Sequence, residues 1–178
     1  FWTVWPKVRD RVLPLKAPPS RQWTARVRTG SRMVTLRGLW REEPSTVCVI
    51  VVHGLGGGYD RPYCIRAARA IAAHGWSCLR LALRGADLSG EDYYHAGLTE
   101  DIEAAVESPA LAPYDRILIV GYSLGGHIAL RYACERPSER VRAVAAVCAP
   151  LDLDRGARHL DERVGRVYRR HMLQGLRE

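Results

Sequence analysis

The residues of this chain best placed to do covalent chemistry are Gly121-Tyr122-Ser123-Leu124-Gly125. A serine hydroxyl is a weak nucleophile until it is held clear of its surroundings, beside a base and a site that accepts negative charge. The pentapeptide directly follows the apolar run Ile117–Val120 and opens a stretch with helical spacing, Leu124–Glu135. A strand-to-helix turn this tight puts the serine in a strained backbone conformation, with its hydroxyl at the positive end of a helix. Side chains at the flanking positions would collide with the neighbouring strand and helix, which accounts for Gly121 and Gly125. Ser123 is therefore the candidate nucleophile, and the amide of Leu124 points where an oxyanion would form. The rival interpretation is a glycine-rich turn with an idle serine, and the completeness of the motif's context weighs against it.

A second cluster, His53-Gly54-Leu55-Gly56-Gly57-Gly58, follows the apolar run Val47–Val52. In acyl hydrolysis the other oxyanion donor is a backbone N–H from the turn after such a strand, and glycine lets that backbone approach a carbonyl closely. The amide of Leu55 is the candidate. A nucleotide loop is excluded twice over. No Gly-Lys-Ser/Thr is present, and a dinucleotide fingerprint counted from Gly54 needs glycine where Tyr59 stands. His53 is read as shaping its loop. His127 rides one turn past Ser123 and is badly aimed, while His74, His95, His159 and His171 carry ordinary structural readings.

Elements must hold these residues in place. Trp23–Arg28 and Met33–Trp40, separated by Thr29-Gly30-Ser31, read as an antiparallel hairpin. Val47–Val52 is apolar throughout, as a strand buried on both faces of a parallel sheet should be. A helix follows, with Asp60 as cap, Pro62 in its first turn, Ile65, Ala68 and Ile71 on its buried face, and Gly75 at its end. Trp76–Leu83 is the next strand, and Leu98, Ile102, Ala105 and Val106 trace a helix closed by Pro109. Arg116–Val120 and Val141–Cys148 are further strands around the Leu124–Glu135 helix, and Leu160–Leu173 reads as a last amphipathic helix. Alternation of this kind predicts a mostly parallel sheet with helices on both faces.

Bulk properties narrow the class. The 178 residues, 47% apolar and 26% charged, suit one globular domain, and no run approaches the about 18 apolar residues of a membrane span. The net charge of +8 comes from 25 Arg and 2 Lys scattered among acids, with no run of five like charges, so no nucleic-acid surface is expected. Five cysteines form no metal spacing. Cys48, Cys78 and Cys148 lie in apolar runs and are expected to be buried, and the odd count points to a reducing compartment, the cytoplasm by default. The start at Phe1 is read as processed or cut, and Phe1–Pro6 lacks the features of a signal peptide.

The series HGLGGG, LRGADLSGEDYYHAGLTED (Leu83–Asp101), VGYSLGGH (Val120–His127) and APLDL (Ala149–Leu153) resembles the YheT-like branch of the α/β-hydrolase family, over about Trp23 to the end. The Arg84-Gly85 turn, Tyr94-His95-Ala96-Gly97 and Thr99-Glu100-Asp101 set that branch apart. The resemblance implies a three-layer α/β/α sandwich and a carboxylic ester hydrolase, with small-molecule substrates that include lipid esters, and no metal or organic cofactor. Ser123 would be the nucleophile, and the amides of Leu55 and Leu124 the oxyanion hole. His127 departs from the family, whose members commonly carry Asn there. The family's acid and histidine follow a seventh and an eighth strand, so both are expected beyond Glu178. The segment 1–178 would then be one incomplete domain, nearly inactive and poorly soluble alone, with 155–178 as the start of a cap region. Asp152 or Asp154 with His159 would be a substitute pair, but no strand intervenes to bring the histidine back over Ser123. A non-catalytic binding module and an acyltransferase using the same serine are the alternatives.

Overall fold

The computed structural model describes residues 15–88, 92–135 and 137–161. Alternating apolar residues build the first two strands, β1 (Arg21–Thr29) and β2 (Arg32–Arg41). Trp23, Val27, Val34, Leu36 and Trp40 turn inward, while Arg26 and Arg28 face out, as in a sheet with one wet face. The strands pair antiparallel, Val27 opposite Val34, across a turn in which Gly30 takes φ 56°. This is the expected hairpin.

The next strands, β3 (Val47–Val52) and β4 (Ser77–Ala82), are buried on both faces. With β5 (Arg116–Tyr122) and β6 (Val141–Val147) they form a six-stranded sheet in the order β1-β2-β4-β3-β5-β6, parallel from β4 to β6. Helix α1 (Pro62–Ala73) covers one face, packing Cys64, Ala68 and Ile71 on Val49, Val51 and Cys78. Helices α2 (Glu100–Val106) and α3 (Leu124–Glu135) cover the other, setting Ile102, Ala105, Ile128 and Ala129 over Cys48, Ile50, Val52, Leu79 and Leu81. Alternate residues of β3 thus serve opposite cores, and the three-layer arrangement follows. No helix among the described residues is long and apolar enough to cross a membrane.

Four expectations need correction. Asp60 does not cap α1. The residue before proline avoids helical backbone, so Arg61, extended at ψ 145°, takes the N-cap position without a side-chain bond. The buried stripe of α1 runs through Cys64 and not Ile65, which is half-buried. Cys148 is exposed, because β6 is the last strand of the sheet and nothing described lies beyond it, whereas Cys64 is fully buried. The last helix, α4 (Leu153–Asp161), starts earlier than Leu160. It starts where the Asp152 carboxylate accepts the Arg155 N–H at 2.9 Å, as an N-cap does. Most of the expected Leu160–Leu173 helix lies outside the described residues.

Candidate active site

One residue, Ser123, separates the end of β5 from the start of α3, and that bend forces it into left-handed backbone at φ 51°. Such a conformation is unfavourable for a residue with a Cβ and survives only where its surroundings fix it. Here they do. The Ser123 N–H donates to the Val147 carbonyl on β6 at 2.8 Å, and the Ser123 carbonyl accepts the His127 N–H at 3.1 Å. A Cβ on Gly121 would lie 2.4 Å from the Gly125 carbonyl oxygen, and one on Gly125 would lie 2.2 Å from that of His53. Both distances are impossible, so the bend excludes side chains at 121 and 125.

Val52 of β3 stands opposite Gly121 of β5, which brings the turn after β3 alongside Ser123. A Cβ on Gly54 would sit 3.1 Å from Ser123 Cβ and 3.7 Å from its Oγ. Three amides of this turn are engaged. The Gly54 N–H donates to Tyr63 Oη at 3.1 Å, the Gly56 N–H to Tyr94 Oη at 2.7 Å, and the Gly57 N–H to the Gly54 carbonyl at 3.1 Å. Arg61 Nη2 donates to the Gly56 carbonyl at 2.9 Å. Among the described residues, the N–H groups of Leu55 and Leu124 find no acceptor.

The histidines have other partners. His53 Nδ1–H donates to the Gly54 carbonyl at 2.8 Å, and its Nε2 accepts the Leu83 N–H at 3.1 Å, tying the ends of β3 and β4 together. Burial pushes its pKa down to about 4, so the ring is a neutral spacer. His127 turns Nδ1 to the Pro150 carbonyl at 2.8 Å, His74 bonds the Ala70 carbonyl, and His95 accepts the Gly97 N–H. His159 sits on α4. Of the two candidate acids nearby, Asp152 caps α4 and Asp154 pairs with Arg158. These hydrogen bonds of His53, His74, His95, His127, Asp152 and Asp154 go to groups other than Ser123.

Sequence reading passed over a buried ion pair. Arg84, just past β4, gives its backbone N–H and its Nε to Asp101 of α2, each at 2.8 Å, with Nη2 at 2.5 Å. Its Nη1 reaches Thr29 of β1 and, at 3.1 Å, Asp92. Burial pushes the Asp101 carboxyl up, against the pull of these donors. The available signal was an arginine directly after an apolar strand, where a charge is placed only if it has a partner.

Residues 47–175 match the family model described as the alpha/beta hydrolase fold. The protein named "Putative esterase YheT" of Escherichia coli K12 is 31% identical over 156 residues, 78% of this chain and 43% of that one. Rice (Oryza sativa subsp. indica) "Probable esterase PIR7A" is 34% identical over 109 residues, 57% of this chain and 39% of its own length. The solved structure of the Pyrococcus furiosus esterase Pf2001 shares the fold, with TM-score 0.66 at 21% identity over 86% of this chain and 64% of that one. The chain spans less than half the length of the two curated relatives. The YheT match bears out the motif resemblance, and the family model takes in β3 to β6 with the Ser123 bend. The chain belongs to the α/β-hydrolase family.

Proposed function

We propose that the protein hydrolyses carboxylic esters through Ser123, with the amides of Leu55 and Leu124 holding the oxyanion. The observation that carries this reading is the left-handed Ser123 at a strand–helix bend, with the backbone of Gly54 against it. A carbonyl seated over Ser123 meets the N-terminus of α3 on one side and the glycine turn on the other, where the Leu124 and Leu55 amides have no acceptor among the described residues. In the first displacement a histidine takes the Ser123 proton, the alkoxide attacks the ester carbonyl, and the alcohol leaves with that proton. Water, deprotonated by the same histidine, then releases the acyl group as a carboxylic acid. His53 and His127 are committed to backbone carbonyls, so neither is that base; following the family resemblance, we assign the base and its acid partner to the part of the relatives' length that this chain does not span. The esterase names of the relatives make simple acyl esters the first substrates to try.

The test uses the whole protein as encoded. A fluorophosphonate probe should label the wild type once, at Ser123, and Ser123→Ala should abolish labelling and lower ester turnover by roughly 10⁴-fold or more. Equal turnover in the two proteins would overturn the assignment.

A further inference from the structure

The glycine turn after β3 has one backbone bond across it, from the Gly57 N–H to the Gly54 carbonyl at 3.1 Å. Glycines at 54, 56, 57 and 58 give it little intrinsic preference for one conformation, since each populates positive and negative φ readily. Gly56 is at φ 63°. The amides on either side of Leu55 are held by a pair of phenols from outside the turn. Tyr63, in the first turn of α1, accepts the Gly54 N–H at 3.1 Å, and Tyr94 accepts the Gly56 N–H at 2.7 Å. These bonds bracket Leu55. They occupy the amides on either side of it and leave the Leu55 N–H as the one donor among residues 54–57 without an acceptor in the described residues.

Each phenol is itself anchored. Tyr63 packs its ring on Tyr122, centroids 4.8 Å apart, and Gly57 is pressed so close that a Cβ there would lie 2.6 Å from the Tyr63 hydroxyl. Burial pushes the Tyr63 phenol up to about 12, so it stays a neutral hydroxyl at working pH. Tyr94 sets its ring edge-on to His53, centroids 5.5 Å apart, and its N–H donates to the Arg84 carbonyl at 3.1 Å. Arg84 is in turn fixed by Asp101 and Asp92. The ion pair under β4 is thus linked, through Tyr94, to the turn beside Ser123.

We propose that Tyr94 and Tyr63 are positioning residues that aim the Leu55 amide at the oxyanion. This rests on the ester-hydrolase reading above and adds to it the groups that set its second donor. A neutral phenol suits the task. It accepts one amide hydrogen bond without bringing a negative charge near the place where the oxyanion develops, as a carboxylate in the same position would. Neither tyrosine needs to touch substrate.

Tyr94→Phe and Tyr63→Phe each delete a single oxygen while keeping the ring contacts. In the whole protein, with a p-nitrophenyl ester, each should lower kcat roughly 10- to 100-fold, short of the 10²- to 10³-fold lost with an oxyanion donor itself. KM should stay within about twofold, because the donor acts on the transition state more than on bound ester. Affinity for a trifluoromethyl ketone, which forms a tetrahedral adduct on the serine, should fall by the same factor as kcat, and the Gly56 amide should exchange with solvent faster in Tyr94→Phe. Wild-type kcat in both variants, or a loss confined to KM and thermal stability, overturns the proposal. If only one variant folds, that one carries the same kcat-against-KM comparison. Fluorophosphonate labelling separates the two ideas. Labelling intact with unchanged kcat in the tyrosine variants sinks only the positioning role, whereas an unlabelled wild type sinks the hydrolase reading and this inference with it.

Discussion

At Gly125 the missing side chain would overlap the backbone of β3, 2.2 Å from the His53 carbonyl oxygen and 2.9 Å from that of Val52. Backbone cannot move aside as a flexible side chain can, so even a methyl group must push α3 away from the strand. Gly125→Ala should cost about 3 kcal/mol, at the upper end for overpacking, and should lower the urea midpoint accordingly. A change under about 0.5 kcal/mol, the range of ordinary surface substitutions, would mean that the bend is looser than its geometry. His53 makes a second prediction, in pH. Its ordinary value is 6.5 and its buried value about 4, so an unfolded chain takes up a proton that the folded one refuses. Stability is complete above pH 6.5 and falls as the pH drops toward 4, by up to roughly 3 kcal/mol. Denaturant titrations between pH 7 and 5 should show that fall, and His53→Gln should flatten it. A slope unchanged in the variant would assign the acid sensitivity to other groups.

Between elements, the Arg84–Asp101 pair joins the end of β4 to α2, and both side chains are almost wholly inaccessible. A buried pair is costly to break because the survivor keeps its charge without its partner. Asp101→Asn should therefore destabilise by roughly 3–5 kcal/mol in urea unfolding. Arg84→Met combined with Asp101→Leu should cost less than either single change, and a double variant worse than both would contradict that account. These contacts also mark the limit of what the sequence disclosed. The bounds of β3 and α3 could be read to the residue, since an unbroken apolar run and a glycine-framed serine are local signals. The Ser123 bend was legible for the same reason: its clashes involve Gly121, Gly125, Gly126 and the adjoining end of β3. Tyr63 and Tyr94 were not legible as parts of a site. Their bonds to the glycine turn span 9 and 38 residues, and nothing in a tyrosine's neighbours says which distant amide it will accept. Cys148 was misplaced because an apolar strand looks the same from the sequence whether it is central or at an edge.

Across the whole sheet, the two edges differ in a way that should govern how the 178-residue chain behaves alone. The outer strand at one end, β1, exposes Arg21, Arg26 and Arg28, and charged side chains on an edge discourage pairing with another chain. At the other end β6 exposes Ala143, Ala145, Ala146 and Val147 with only Arg142 among them, and among the described residues no strand pairs with its outer side. An apolar strand with unpaired N–H and C=O groups is a template for a second copy of itself. Because β1 carries charge at the other edge, pairing β6 to β6 uses up the apolar edge among the described residues, and the net charge of +8 opposes further growth. The isolated chain should then populate dimers as its concentration rises, seen as a doubled mass by light scattering after size exclusion. Val147→Glu together with Ala145→Lys puts charge on that edge and should return the chain to monomer with its unfolding midpoint little changed. Dimers that persist in the double variant would place the contact elsewhere, and a wild-type chain that stays monomeric at high concentration would show the β6 edge to be covered.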